Sequence, residues 1–281
     1  MKRILGRIEF EGSAHCGWAS QDPELEASEG HKTSVQSEIE KSFRVALRKS
    51  SSEIIFAKGC GRTDAGVSAS EYFFHIDLSE SDFPASIEKL RASLNGILPA
   101  SVVVTHLGEV PTDFDALESV KSKTYTYRLL FRRAKATLES QTHWWFPVDA
   151  TQLRWSEFEA CVKKLQGTHD FKAFRAAHGS AVTTRRTIHK IQTVKENCSR
   201  GMGLRVLITF NGAGFLKHMV RNLVGFLYET LSGKKTLKDL EYLLGETTGS
   251  APDRIEAGVC APAFGLTLEK VEYQNEPSFL A

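Results

Sequence analysis

Gly59-Cys60-Gly61-Arg62-Thr63-Asp64-Ala65-Gly66-Val67 is the stretch on which the reading of this chain turns. An apolar run, Ile54-Ile55-Phe56-Ala57, precedes it and reads as a buried strand. Ser68-Ala69-Ser70-Glu71-Tyr72-Phe73-Phe74-His75-Ile76 follows and reads as the next strand. Glycines bracket one arginine and one carboxylate. Glycine accepts backbone angles that other residues resist and lets a ligand come close. A tight loop between two core strands therefore holds Asp64 at a sheet end, exposed but fixed. The plainer reading is a strand–turn–strand with a solvated Arg62–Asp64 pair, and spacing alone leaves both open.

Outward from this loop, residues 3–10 suggest a first strand. Residues 12–32 form a loop, acidic at Asp22, Glu24, Glu26 and Glu29, that reads as a mobile insertion. Thr33 with Gln36 offers a capping box for a helix carrying Val35, Ile39, Phe43 and Leu47 on one face. Pro84 suits the first turn of a second helix, which carries Ile87, Leu90 and Leu94 and ends near Gly96. Residues 102–107 form another strand, so the first half runs β-α-β-β-α-β, an order of the split-βαβ kind.

The second half opens on a strand over residues 123–131, followed by a basic loop at Arg132, Arg133 and Lys135. A helix over 155–165 ends at Gly167. Residues 188–194 and 204–210 pair antiparallel. A long helix over 215–231 turns Met219, Leu223, Phe226 and Leu227 to the core. Thr236 starts a short helix, and 264–273 is the last strand. The fold class is α/β, more narrowly α+β. The expected domains are 1–110, with the Asp64 loop, and 111–273, followed by a frayed tail at 274–281.

With 281 residues the chain has ample material for a core, and its 41% apolar and 25% charged residues are those of an ordinary soluble globule. A formal net charge of +2 allows a nucleic-acid partner without demanding one. The five cysteines, Cys16, Cys60, Cys161, Cys198 and Cys260, are scattered and include no C-x-x-C, which disfavours a disulfide framework or zinc site and fits a reducing cytoplasm. The basic N-terminus lacks the apolar core of a signal peptide, and no stretch is apolar for long enough to span a membrane.

The chemistry has few candidate carriers. Asp64 can serve as nucleophile or base. A metal site would want further ligands near it, and the Lys-Ser/Thr of a P-loop is absent. Arg62 is either solvated or turned toward phosphate or a base stack. Tyr125 and Tyr127 share one face of their strand; both are core, or one stacks on a base. Lys217 and Arg221 lie four apart on one helix face, either a solvated stripe or a cation aimed at a carboxylate. His75 and His218 read as structural or surface residues. Basic residues gather at Lys121/Lys123/Arg128/Arg132/Arg133/Lys135, at Arg185/Arg186/Lys190 and at Lys234/Lys235/Lys238. Such runs suit an RNA surface or a solvated face.

Several of these segments, in this order, resemble the TruA-type tRNA pseudouridine synthases. The similarity covers Phe10-Glu11-Gly12-Ser13 with Gly17-Trp18, Thr33-Ser34-Val35-Gln36, residues 61–67 (GRTDAGV) and Leu94-Asn95 to Leu98-Pro99. It continues through Asp113-Phe114-Asp115-Ala116, residues 123–127 (KTYTY), residues 170–175 (DFKAFR), residues 215–225 (FLKHMVRNLVG) and Ala261-Pro262 to Gly265-Leu266. The resemblance implies two ferredoxin-like (split-βαβ) halves sharing a central mixed, mostly antiparallel sheet with an active cleft between them. It implies a homodimer with no cofactor or metal, making pseudouridine in tRNA at anticodon stem-loop positions 38–40. It places Asp64 on the catalytic aspartate and Arg62 on the arginine that enters the RNA stack. Tyr125 falls on the tyrosine that stacks on the flipped base, and Arg221 on the cation that pairs with the catalytic carboxylate. Lys123 and Arg128 join Arg62 and Tyr125 as residues facing RNA.

Some positions depart from the family pattern. Ser68 and Asp115 stand where histidines are usual, Leu117 where arginine is, His15 where tyrosine is, and Glu11 where aspartate is. The departures leave the catalytic set intact and put substrate choice in question. Ser68, Asp115 and Leu117 also keep a second hypothesis in view, a diverged RNA-binding or tRNA-folding factor without chemistry, against which the intact Asp64, Tyr125 and Arg221 stand. A third is a metal-dependent hydrolase with Asp64 as nucleophile.

Overall fold

The computed structural model describes residues 1–20, 30–50, 52–176, 181–198, 203–253 and 257–277. The acidic stretch expected as an insertion and the last four residues of the tail lie largely or wholly outside these. The chain divides into two compact units, residues 1–121 together with the stretch from 268 onward, and residues 122–267. The fold is α+β, with ten strands and five α-helices among the described residues.

In the first unit, β1 (Lys2–Phe10) lies between β3 (Ser68–Leu78) and β4 (Val102–Val110), antiparallel to both. The short β2 (Lys58–Gly59) pairs with β3 at Lys58↔His75 and Gly59↔Phe74, and β10 (Leu266–Tyr273) is also β3's neighbour. The order β4-β1-β3-β2, with helices α1 (Val35–Ala46) and α2 (Ile87–Ile97) as crossovers, is the split-βαβ arrangement. Val35, Ile39 and Phe43, spaced by four, are fully buried, and each contributes roughly 1.5–3 kcal/mol of gross burial.

Local details differ from the sequence reading. Residues 54–57 form no strand: Ile55 and Ala57 turn inward while Ile54 and Phe56 stay 91% and 63% exposed. The alternation is that of an extended segment, but pairing begins only at Lys58. The cap of α1 is Ser34, whose hydroxyl accepts from the Ser37 N–H; Thr33 instead donates to Glu38. Helix α2 is capped by Ser86, which leaves Pro84 in the preceding loop.

The second unit is built on β5 (Val120–Phe131), β9 (Leu204–Gly212), β8 (Arg185–Asn197) and β7 (Gly167–Asp170), in that order and antiparallel. A short β6 (Trp144–Phe146) runs parallel to β5, its aromatic side chains stacking on Phe131 and Tyr228. Strands this short carry too little periodicity to stand out in sequence. Helix α3 (Trp155–Leu165) precedes β7, and α5 (Leu237–Leu243) starts at Thr236 with a complete capping box to Asp239. Helix α4 (Met219–Leu231) buries nearly its whole circumference. It begins four residues later than expected because His218 is left-handed, with φ 61°, and so cannot continue a helix backward to Phe215.

The unit division also differs from the expected boundary after residue 110. Beyond β4 the chain bonds back into the first unit: Phe114 O accepts from Arg3 and the Ala116 N–H donates to His75 Nδ1. The last strand returns beside β3.

One close approach on α4 is testable. A Cβ on Gly225 would stand 1.9 Å from the Val259 carbonyl oxygen, which is backbone and cannot swing away. Alanine would ordinarily favour a helix by about 1 kcal/mol. Gly225→Ala is nevertheless expected to lower stability by roughly 1–3 kcal/mol, read from the urea midpoint; a stabilised variant would contradict this packing.

Candidate active site

The Asp64 loop is held from two sides by backbone. On its own strand side, the Cys60 N–H donates to Phe73 O at 2.8 Å and the Tyr72 hydroxyl donates to Gly61 O. The turn closes with the Val67 N–H on Asp64 O at 3.1 Å, and Gly66, at φ +83°, takes the positive angle that a type II turn needs at this position. Gly59 has no room for a side chain, since a Cβ would meet the Tyr72 hydroxyl and the Trp18 indole at 2.1 and 2.5 Å.

From the other side come residues 11–18. Gly12 lies against the Val67 and Gly66 backbone, where a Cβ would be 2.2 Å from Val67 C, and its N–H donates to Ser68 Oγ at 3.0 Å. Gly17, at φ +109°, lies against Thr63, Asp64 and Ala65, where a Cβ would be 2.5 Å from Thr63 O. The Trp18 N–H reaches the same Thr63 O at 3.4 Å. The result is an alternation along the loop: Arg62 exposed, Thr63 buried, Asp64 half-buried. Asp64 is thus presented on a loop whose backbone has little freedom, half-buried where the sequence reading expects it exposed.

Beside this loop lies a second fixed cluster of the first unit. Lys58, the first residue of β2, pairs with Asp115 Oδ2 at 2.5 Å, while Asp115 Oδ1 accepts from the Leu117 and Glu118 N–H groups at 2.9 and 3.1 Å. Burial alone would push the Asp115 carboxyl up. Lys58 and the two backbone donors overcome it and bring the carboxyl down to about 2. Ala116 is bonded through both backbone groups, its N–H donating to His75 Nδ1 at 3.1 Å and its carbonyl accepting from Tyr273 at 3.0 Å. An accepting Nδ1 makes His75 the neutral Nε2–H tautomer, in keeping with a pKa lowered first by burial and then by Arg3. His75 is structural, as read.

The remaining candidates stand in the second unit. Tyr125 is nearly buried on β5, opposite Phe210 of β9, with its ring edge-on to Phe215 at 5.4 Å. Tyr127, on the same face, is fully buried and donates to Pro262 O at 2.8 Å; its ring fills the space that a side chain on Gly265 would take. Burial pushes the Tyr127 phenol up, against the pull of the Arg221 charge. Arg221 Nε donates to Ala261 O at 2.8 Å, and the Ala261 N–H returns to Arg221 O at 3.1 Å. The segment 261–265 therefore seats both Arg221 and Tyr127. Residues 170–176 are tied to the same helix through Asn222 Nδ2 on Phe174 O at 2.7 Å, and to the turn before it through the Ala176 N–H on Lys217 O at 2.9 Å. Lys123 is half-buried near the start of β5. Arg128, also half-buried, donates to Thr267 Oγ1 at 2.7 Å.

Comparison with known proteins identifies the family. A family described as tRNA pseudouridine synthase matches residues 161–274. A tRNA pseudouridine synthase A of Bartonella tribocorum is 32% identical over 276 residues, covering 97% of this chain and 100% of that one. One of Akkermansia muciniphila is 35% identical over 285 residues, covering 98% and 97%. One of Myxococcus xanthus is 32% identical over 280 residues, covering 99% and 94%. This chain belongs to the tRNA pseudouridine synthase A family. As a pseudouridine synthase it is an isomerase, so the third hypothesis, a hydrolase, falls.

The sequence singles out Asp64 as a candidate but does not show what fixes it. The bracket of residues 11–18 was visible only as a family-like word, and its contacts join segments some fifty residues apart. The departures at Ser68, Asp115 and His15 also change meaning. Ser68 accepts from Gly12, Asp115 pairs with Lys58, and His15 is buried with partners on both ring nitrogens. All three are bonded within the fold around the loop. Leu117 is 39% exposed.

Two predictions follow from these contacts. Gly17→Ala should displace the loop and lower turnover by roughly 10- to 100-fold. Gly30→Ala, also at positive φ (+79°) but in open space, should carry only the strain and leave turnover intact. Steady-state kinetics of the two side by side decides. For Asp115 the folded pKa is depressed from 3.8 to about 2. Its contribution is therefore fully present above the unfolded value and is lost as pH falls toward 2. The stability gap between wild type and Asp115→Asn should accordingly narrow between pH 5 and pH 2.5 in urea titrations; a constant gap would contradict the Lys58–Asp115 pairing.

Proposed function

We propose that this protein isomerises uridine to pseudouridine in the anticodon stem-loop of tRNA, at positions 38–40, as a cytoplasmic homodimer that needs no metal or cofactor. The observation that carries the reading is the Asp64 loop, a half-buried carboxylate on a backbone clamped from both sides, next to an exposed Arg62. Family membership over nearly the whole chain supports the tRNA substrate.

The reaction breaks the N1–C1′ bond of the nucleotide and forms a C5–C1′ bond. C5 gives up its proton and N1 gains one, so product and substrate are isomers. The target base must first leave its stack, which costs about a few kcal/mol. Arg62, exposed on the loop two residues before Asp64, occupies the vacated place and offsets part of that cost. Asp64 acts at the ribose, as nucleophile at C1′ or base at C2′. In either case a fixed carboxylate suits the positive charge that glycosidic cleavage develops at the sugar. Tyr125 stacks on the detached base and confines it while it turns. Arg221, whose guanidinium is aligned by Ala261 O, is assigned as the cation that keeps the catalytic carboxylate ionised and oriented. Lys123 and Arg128 are assigned to the RNA backbone.

The alternative of a binding factor without chemistry drew its support from the departures. Of the residues that carried it, Ser68 and Asp115 have structural partners in the fold while Leu117 is exposed, and no observation favours that reading over the enzyme.

Tritium release from tRNA transcribed with C5-labelled uridine tests the proposal. Wild type should release tritium, and mapping should place the product at positions 38–40. Asp64→Asn preserves the shape of the loop and should lower release by roughly 10²- to 10⁴-fold or more. No release from a tRNA that wild type binds would replace this reading with the binding factor.

A further inference from the structure

His15 is a buried side chain, 2% exposed, that none of the roles above uses. It lies at the centre of the bracket that holds the Asp64 loop. On one side of it in sequence, Gly12 packs on Val67 and donates to Ser68; on the other, Gly17 and Trp18 pack on and bond to Thr63. The bracket thus grips the loop at both ends of the turn that carries Asp64, and His15 ties the bracket to the rest of the first unit. Its Nδ1 is 3.3 Å from Thr33 O, the residue just before the cap of α1, and its Nε2 is 2.9 Å from Ser101 Oγ, just before β4. A carbonyl can only accept, so Nδ1 carries the proton and Nε2 accepts from the Ser101 hydroxyl. Backbone bonds run alongside: Cys16 N–H to Thr33 O at 3.2 Å, Glu11 N–H to Ser101 O at 2.9 Å, and His15 N–H to Gly12 O at 3.0 Å. Burial lowers the His15 pKa, in keeping with a neutral ring.

We propose that His15 is a positioning residue: its neutral Nδ1–H tautomer, bonded to Thr33 and Ser101, fixes residues 11–18 and through them the placement of Asp64. This rests on Asp64 being the catalytic carboxylate. The physical reason is leverage. The contacts at Gly12 and Gly17 are backbone on backbone and cannot yield one atom at a time, so a shift of the bracket moves the whole turn. A displacement of about 1 Å at a reacting group costs roughly 100-fold in rate.

The test compares wild type, His15→Ala, His15→Asn, Ser101→Ala and the double variant His15→Ala/Ser101→Ala. Amide hydrogen exchange is followed by mass spectrometry over residues 61–67, together with tritium release, tRNA affinity and Tm. Exchange at 61–67 is expected to rise in His15→Ala and Ser101→Ala. Turnover of the folded variants should fall by roughly 10- to 100-fold, with KM for tRNA within about threefold of wild type. The double variant should be no worse than His15→Ala, because both changes cut one connection. His15→Asn keeps a donor for Thr33 and should recover part of the loss.

A lowered Tm with turnover and 61–67 exchange unchanged would make His15 merely structural and overturn the proposal. Ser101→Ala serves the same end if His15→Ala fails to fold. Should wild type release no tritium from tRNA, the functional reading fails, while the exchange data still decide whether His15 fixes the loop.

Discussion

Backbone packed directly on backbone is the constraint on which the Asp64 loop depends. At Gly12 and Gly17 two loops approach so closely that a single methyl would overlap peptide atoms at 2.2 and 2.5 Å. Such contacts are short and stiff, and they leave no rotamer through which strain could relax. They fix a loop that is partly exposed, which side-chain packing alone achieves poorly at a surface. The glycines at 12, 17, 59 and 66 are therefore best understood as one device. Two leave room for the neighbouring loop, one for Tyr72 and Trp18, and one supplies the angle of the turn.

The second unit reaches a similar end by different means. Its functional candidates sit on regular elements, Tyr125 on β5 and Arg221 on α4, and the irregular segments are bonded to those elements. Ala261 exchanges bonds with Arg221, Pro262 accepts from Tyr127, and Phe174 O accepts from the buried Asn222. Helix α4 is buried on almost every side, so its position is set by packing around its whole circumference and not by one stripe. A site built on elements of that kind needs fewer glycines, and the one at Gly265 serves to admit the Tyr127 ring.

Charge in the first unit is used for cohesion as much as for chemistry. Lys58 on Asp115, Arg3 on Phe114 O and the neutral His75 on Ala116 draw the segment after β4 back onto β1, β2 and β3, while Arg3 also pairs with Asp77 across β1 and β3. Positions 68 and 115 depart from the family pattern, yet Ser68 accepts from Gly12 and Asp115 is bonded through both carboxylate oxygens. The departures therefore bear first on how this chain holds its loop. A histidine replaced by a paired aspartate changes the partner it needs, and Lys58 is that partner.

Long periodic elements were legible in the sequence. The strands at 3–10, 68–76 and 123–131 and the helices carrying Val35-Ile39-Phe43 and Met219-Leu223-Phe226-Leu227 follow from local pattern; the glycines around Asp64 made it a candidate, and only the family resemblance set it above a solvated Arg62–Asp64 pair. What local pattern could not reach depended on partners remote in the chain. The run at 54–57 is apolar enough for a strand but has no neighbour to pair with; His218 ends the backward course of a helix whose apolar residues continue; Thr33 and Ser34 are equally good caps until one finds Glu38. The sequence by itself determined which residues could do chemistry, because residue type and spacing are local properties. Only the tertiary structure decided what holds them in place, because the contacts of Gly12, His15, Gly17 and Asp115 join segments that meet only once the chain has folded.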